Sequence, residues 1–321
     1  MNGMLTNGLL LAMGVGVLYF GAEWLVRGAT RLASALGVPP IVVGLTVVSM
    51  GTSAPELVVC LVAALRGNPD LAMGNVMGSN LANIGLILGL TAMVRPLEVT
   101  GRVVTREIPV MIAVTLALFP LILDGELSRP DGMILIVILA LYLLFINRAA
   151  GEEVPEVVGE FEVYAEDSKA DAKTVAGSLA LIVGGSIGLV LGGRSIVMAA
   201  EYIASAFGVP DLVIGLTLVA IGTSLPELAT ALVAAFRKES DIAVGNIIGS
   251  NVFNIAAILG ITATVEPIRV VSNVVREELP AVLVVSLLAF PVTRSAHRIR
   301  RWEGAILLTA YFVATIWLVR F

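Results

Sequence analysis

Gly51-Thr52-Ser53-Ala54-Pro55-Glu56-Leu57 is followed, after a gap, by Gly74-Asn75-Val76-Met77-Gly78-Ser79-Asn80-Leu81-Ala82-Asn83. The pattern returns 171 residues later as Gly222-Thr223-Ser224-Leu225-Pro226-Glu227-Leu228 and Gly245-Asn246-Ile247-Ile248-Gly249-Ser250-Asn251-Val252-Phe253-Asn254, with no insertion. Each copy sets a glutamate, several hydroxyls and an asparagine inside sequence that is otherwise apolar. Such groups are costly in a membrane, so each copy is a candidate functional site. The likeness reaches well beyond the motifs: between 37–91 and 208–262, 32 of 55 aligned positions are identical. Gly21 also pairs with Gly192, and Pro109 with Pro280.

The surrounding chain explains why those polar groups stand out. Of 321 residues, 58% are hydrophobic and 14% charged, against roughly 25% charged in soluble domains. Apolar runs long enough to cross the hydrocarbon as helices recur along the chain. Ten spans are expected, near 7–35, 40–65, 71–94, 104–123, 131–147, 175–206, 211–236, 241–265, 277–293 and 302–320. The first lacks the pattern of a cleaved signal and reads as a retained helix. The hydrophilic segment 148–174 divides the chain into 1–147 and 175–321, each with five spans. An odd number per half turns the second repeat upside down in the bilayer, an architecture of transporters. The expected fold is therefore an all-α polytopic membrane protein of ten transmembrane helices, built as two inverted-topology repeats of five. With both termini outside, inside positions hold 14 Lys and Arg against 5 outside, as the positive-inside rule requires. The 148–174 loop, with eight acids, is then cytoplasmic and reads as a solvated linker.

Within the second span, Pro55 lacks an N–H and its ring crowds the preceding turn, so the helix should break or kink there. A break frees backbone carbonyls, which is tolerated at membrane depth only where they line a protein cavity. Those carbonyls, the Thr52 and Ser53 hydroxyls and the Glu56 carboxylate make an oxygen-rich pocket, mirrored by Thr223, Ser224 and Glu227 around Pro226. The second motif supplies the facing wall: Gly74, Gly78 and Ser79 form a small-residue stripe, and Ser79 and Asn83 share one helix face. Ser250 and Asn254 repeat this pair. An all-oxygen set with two carboxylates suits hard cations such as Ca²⁺ and Na⁺ and offers no nitrogen or sulfur for zinc or copper. Ser, Thr and Asn also bind helices to one another by hydrogen bonds, which accounts for Asn80 and Asn251 and extends to Asn75 and Asn246. It does not account for two membrane carboxylates.

These motifs, G-T-S-x-P-E with G-N-x-x-G-S-N-x-x-N, resemble the α-repeats of the calcium/cation antiporter superfamily, in its sodium/calcium exchanger branch. The resemblance implies a secondary antiporter that expels Ca²⁺ in exchange for three or more Na⁺, working by alternating access in the plasma membrane (the inner membrane of a bacterium). It implies ligands at Thr52, Ser53, Glu56, Ser79 and Asn83 from one half and at Thr223, Ser224, Glu227, Ser250 and Asn254 from the other. Backbone carbonyls of Ser49 and Ala220 complete that set. It further implies that spans 1 and 6 slide, eased by Gly14, Gly16 and Gly21 and by Gly184, Gly185, Gly188, Gly192 and Gly193. Related exchangers carry aspartate at one or both of the Asn83 and Asn254 positions. Here two glutamates give a site charge of −2, which balances one Ca²⁺ and leaves three Na⁺ with a surplus of +1. The same fold coupled to H⁺ or K⁺, or carrying Mg²⁺ or Mn²⁺, is the competing expectation.

Other classes fit less well. A passive channel needs no paired carboxylates. An intramembrane hydrolase needs a base, and the one histidine, His297, lies among loop arginines. No cofactor, catalytic residue or nucleic-acid partner is expected. The partners are inorganic cations and the bilayer, and a monomer is compatible with the pattern. Cys60, the single cysteine, is expected to act as a small apolar residue. Glu23 and Arg27, spaced i, i+4, are read as a snorkelling or structural pair, with a gating or ion-path role as the alternative, and Arg194 stands at the position equivalent to Glu23.

Overall fold

Proline and glycine placement decides where the helices of this chain stop, as the computed structural model shows for residues 2–150, 172–208, 222–294 and 298–320. Helix α1 (Asn2–Leu36) ends at Gly37, whose φ of +65° only glycine adopts without strain. The second span is two helices, α2 (Pro40–Thr52) and α3 (Ala54–Leu65), bent by 45° at Ser53. Pro55 sits in the first turn of α3, where a missing N–H costs nothing. It starts a helix here rather than kinking one. Then come α4 (Pro69–Val94), α5 (Val103–Leu121) and α6 (Arg129–Ala150). The other half holds α7 (Ala172–Ala206), α8 (Leu225–Phe236), α9 (Ser240–Val265), α10 (Leu279–Arg294) and α11 (Arg301–Val319).

Among the described residues, seven helices are long and apolar enough to cross a membrane, and the α2–α3 pair makes eight. Helix α8, the counterpart of α3, is 12 residues long; the stretch before it, 209–221, lies outside the described residues. So do the greater part of the acidic loop, His297 and Ala220.

Three features were not expected from the sequence. Several helices widen for one turn into π geometry, at Gly44–Val48, Ala82–Leu88, Val103–Glu107, Asn254–Leu259 and Val274–Glu278. Such turns gather at functional sites, and Asn83 and Asn254 stand at the start of two of them. Second, the helical chain carries two small antiparallel ladders. Strand β1 (Leu97–Glu98) pairs with β4 (Arg298–Ile299), and β2 (Glu126–Leu127) pairs with β3 (Ile268–Arg269). Third, both ladders join the halves crosswise, and so do two close helix contacts. A Cβ on Gly132 of α6 would lie 2.7 Å from the Gly260 carbonyl of α9, and one on Gly304 of α11 would lie 2.5 Å from the Gly89 carbonyl of α4.

Helices α1 and α7 pack along their length through small residues. A Cβ on Gly192 would come within 2.5 Å of the Leu18 backbone nitrogen, and one on Gly21 within 2.7 Å of that of Leu189. Gly14, Gly185 and Gly188 line the same seam, and so does Gly28, which the sequence reading left out. Gly16 meets nothing within 4 Å. The small-residue stripe of the second motif serves close approach in one copy: Gly245 and Gly249 meet the α2 backbone at Ile41 and Leu45. No described atom lies as near to Gly74 or Gly78.

Candidate cation site

The break between α2 and α3 turns Ser53 out of helical geometry, with φ −85° and ψ 5°. Ser224, ahead of α8, has φ −88° and ψ 0°. Each serine therefore stands at a helix start with its glutamate in the first turn, where backbone N–H groups favour negative charge. Glu56 and Glu227 are each 1% exposed. Two carboxylates buried this deeply call for a counter-charge.

Hydrogen bonds between the repeats hold the walls. The Ser53 hydroxyl donates to Glu227 Oε1 at 3.1 Å. The Thr52 hydroxyl donates to Asn246 Oδ1 at 3.0 Å and lies 3.5 Å from the Ser250 hydroxyl. On the facing helices, the Asn83 amide donates to Asn251 Oδ1 at 3.4 Å, and the Asn254 amide donates to Asn80 Oδ1 at 2.9 Å. These last two contacts are symmetry mates under the 171-residue offset. Asn80 also donates to the Asn251 carbonyl at 3.3 Å. The reading of Asn80 and Asn251 as bonds between helices is thus what the structure shows. Asn75 has a similar part within one half, donating to the Glu56 carbonyl at 3.4 Å.

What those bonds leave over is informative. Both amide NH₂ groups of Asn83 and Asn254 point at other asparagines, so their Oδ1 atoms remain. Among the described residues, Asn83 Oδ1, Asn254 Oδ1, Glu56 Oε2 and Glu227 Oε2 are buried without a hydrogen-bond partner, as is the Ser224 hydroxyl. An unsatisfied buried acceptor costs about 1–3 kcal/mol, and more when charged. Four such oxygens, two of them carboxylate, are carried by α3, α4, α8 and α9. Hard cations take this donor chemistry. Among the described residues no three His, Cys, Asp or Glu side chains gather.

Ser79 and Ser250 are buried on the same walls, and Thr223 is half-buried at the mouth. Ser49 is buried too, but its hydroxyl lies 2.7 Å from the Gly44 carbonyl and 3.0 Å from that of Asn246, bonding α2 to α9. Its carbonyl accepts from the Ser53 N–H at 3.0 Å. Cys60 does more than fill space: its thiol donates to the Ala72 carbonyl at 3.2 Å and accepts from Asn75 at 3.3 Å, tying α3 to α4. A cleft of about 510 Å³, lined by Pro55, Val58, Arg194, Glu201, Thr223 and Pro226 among others, runs between α3, α7 and α8 toward the site.

The family profile described as sodium/calcium exchanger protein matches residues 6–147 and 177–320. The chain belongs to this family. Several relatives match over nearly their whole length. The chain is 39% identical to Inner membrane protein YrbG of Escherichia coli (strain K12), covering 98% of the chain and 96% of that protein. It is 30% identical to Sodium/calcium exchanger MaX1 of Methanosarcina acetivorans, covering 95% and 96%. A solved structure of the sodium–calcium exchanger NCX_Mj, soaked with zero Na⁺ and Ca²⁺, superposes with a TM-score of 0.84 at 31% identity, covering 98% and 99%. With its apolar helices, this makes the chain a multi-pass integral membrane protein.

Proposed function

We propose that the protein is a secondary antiporter that exchanges Na⁺ for Ca²⁺ and extrudes Ca²⁺. The observation that carries this reading is the set of buried, unpartnered oxygens on Glu56, Glu227, Asn83 and Asn254. The two carboxylates repel when the site is empty, and one Ca²⁺ or two Na⁺ neutralise them. A third Na⁺ leaves a net charge of +1. A loaded pocket can close into low dielectric, whereas a half-loaded one keeps a charge that resists closure. Two cation fluxes are coupled in this way, because only loaded states change sides. Glu56 and Glu227 supply the charge. Thr52, Ser53, Ser79 and Asn83, with Thr223, Ser224, Ser250 and Asn254, replace the hydration shell, and the carbonyls of Ser49 and Ala220 complete it.

The surrounding fold in this reading has ten spans as two inverted repeats, 1–147 and 175–321, joined by the cytoplasmic segment 148–174, with both termini outside. The mirrored serine geometry, the paired asparagine bonds and the crosswise ladders support it. The test is Ca²⁺ uptake into proteoliposomes loaded with Na⁺, with K⁺ loading or a pH gradient as alternatives. Uptake that requires internal Na⁺ is expected. Uptake driven equally by a proton or K⁺ gradient overturns the coupling, and no Ca²⁺ flux under any gradient overturns the substrate.

A further inference from the structure

The two ends of the α1–α7 seam carry opposite electrostatics. Near one end, Glu23 of α1 makes a two-pronged ion pair with Arg237, the residue that ends α8; one prong, Arg237 Nε to Glu23 Oε2, measures 2.6 Å. Arg27 donates to the same carboxylate at 3.2 Å. Helix α1 is thereby fastened to the α8–α9 turn on this side, which is cytoplasmic in the orientation proposed above.

The 171-residue offset maps each partner onto the other side. Arg237 corresponds to Arg66, and the two have the same backbone placement, φ −80° and ψ −1° against φ −89° and ψ 4°. The next residues, Lys238 and Gly67, are both left-handed, at φ 66° and 71°. Glu23, however, corresponds to Arg194, and Arg27 to Met198. The position that would fasten α7 to the α3–α4 turn thus sets a cation against a cation. In keeping with this, the cleft of about 510 Å³ opens beside Arg194, while the Glu23 side is bridged.

From this we infer that the Glu23–Arg237 pair is a one-sided latch: it favours the conformation closed on its own side, and the Arg194–Arg66 pair disfavours the opposite one. In an inverted repeat the two halves exchange roles as access alternates, so a latch present in only one of them tilts the equilibrium. The inference rests on the alternating-access reading and adds which state is favoured without ions and which residues set that bias. Differential contacts between the two states are what such a tilt requires.

Hydrogen exchange on the ion-free full-length protein in nanodiscs tests this without any transport measurement, so a failure of the coupling assignment leaves the test intact. Glu23→Gln is expected to raise exchange in 23–36 and 236–241 and to lower it in 64–70 and 194–206. Arg194→Glu, which creates an attractive pair with Arg66, should give the same two-sided pattern while leaving the Glu23 contact in place. In proteoliposomes, either variant should shift the ratio of half-saturating Ca²⁺ on the two faces by roughly two- to fivefold, the range for partly exposed ion pairs. Exchange that changes only around the mutated residue in both variants overturns the inference.

Discussion

Ser53 donates to Glu227 across the repeats at 3.1 Å, and its counterpart Ser224 makes no such bond to Glu56. The two motifs match in sequence but not in hydrogen bonding. Ser53 thus gives the Glu227 carboxylate a hydroxyl donor from the other half, whereas Ser224 gives Glu56 none. The two serines should consequently respond differently to the same mutation. Ser53→Ala removes a donor from a buried carboxylate and should lower the stability of ion-free protein by about 1.5–3 kcal/mol. Ser224→Ala removes a hydroxyl that has no partner and should leave that stability nearly unchanged, while weakening Ca²⁺ binding. Melting curves with and without Ca²⁺ separate the two effects; equal losses without ions would contradict the asymmetry.

Glu56→Gln and Glu227→Gln keep shape and remove one charge each. At about 4 Å and an effective dielectric of about 20, a pair of unit charges is worth ~4 kcal/mol. Ca²⁺ uptake should fall by at least about two orders of magnitude in either variant, with the elution profile of a folded protein retained. Near-normal exchange would remove these residues from the site.

Asn83→Asp adds a third carboxylate where Asn83 now donates to Asn251 Oδ1. An oxygen then faces an oxygen beside two buried charges. Ion-free stability should drop by about 2–3 kcal/mol, the cost of an unpaired buried polar group. The gain in melting temperature on adding Ca²⁺ should grow, because a ligand that binds only the folded state stabilises by mass action. An unchanged Ca²⁺ shift would argue against Asn83 as a ligand.

Gly192→Ala and Gly16→Ala test the α1–α7 seam as a matched pair. A Cβ at Gly192 meets the Leu18 backbone at 2.5 Å, whereas one at Gly16 meets nothing within 4 Å. The first should cost about 1–3 kcal/mol, as overpacking does, and reduce transport. The second should be neutral or stabilise by up to about 1 kcal/mol through helix propensity. Equal outcomes would mean that the seam is not tightly packed.

The site was legible because its chemistry is local and occurs twice. Glu56 and Glu227 stand out wherever they are met in an apolar run, and the shared offset points to Asn83 and Asn254. The separation of asparagine roles, with Asn80 and Asn251 as bonds between helices, followed from the same pattern. The pairing of Glu23 with Arg27 was readable from the i, i+4 spacing, but its pairing with Arg237 was not, since Arg237 is 214 residues away and only the packed fold brings them together. Nor were the wide helical turns, which replace one hydrogen-bond spacing by another without a distinctive residue. Ser49 is read in the sequence for its backbone carbonyl alone; that its hydroxyl bonds α2 to α9 needed the packed fold. Arg66 and Arg194, read singly, are loop and helix cations; only superposing one half on the other gives them meaning.

The crosswise ladders bear on how the protein comes to be made. Residues 97–98 of β1 must wait for 298–299, and 126–127 of β2 for 268–269. Glu56 likewise has no companion carboxylate until the chain has been extended past Glu227. A ribosome-bound first half therefore presents unpaired strand edges and an unmatched acid to the insertion machinery, and both are met only once the second half has been made.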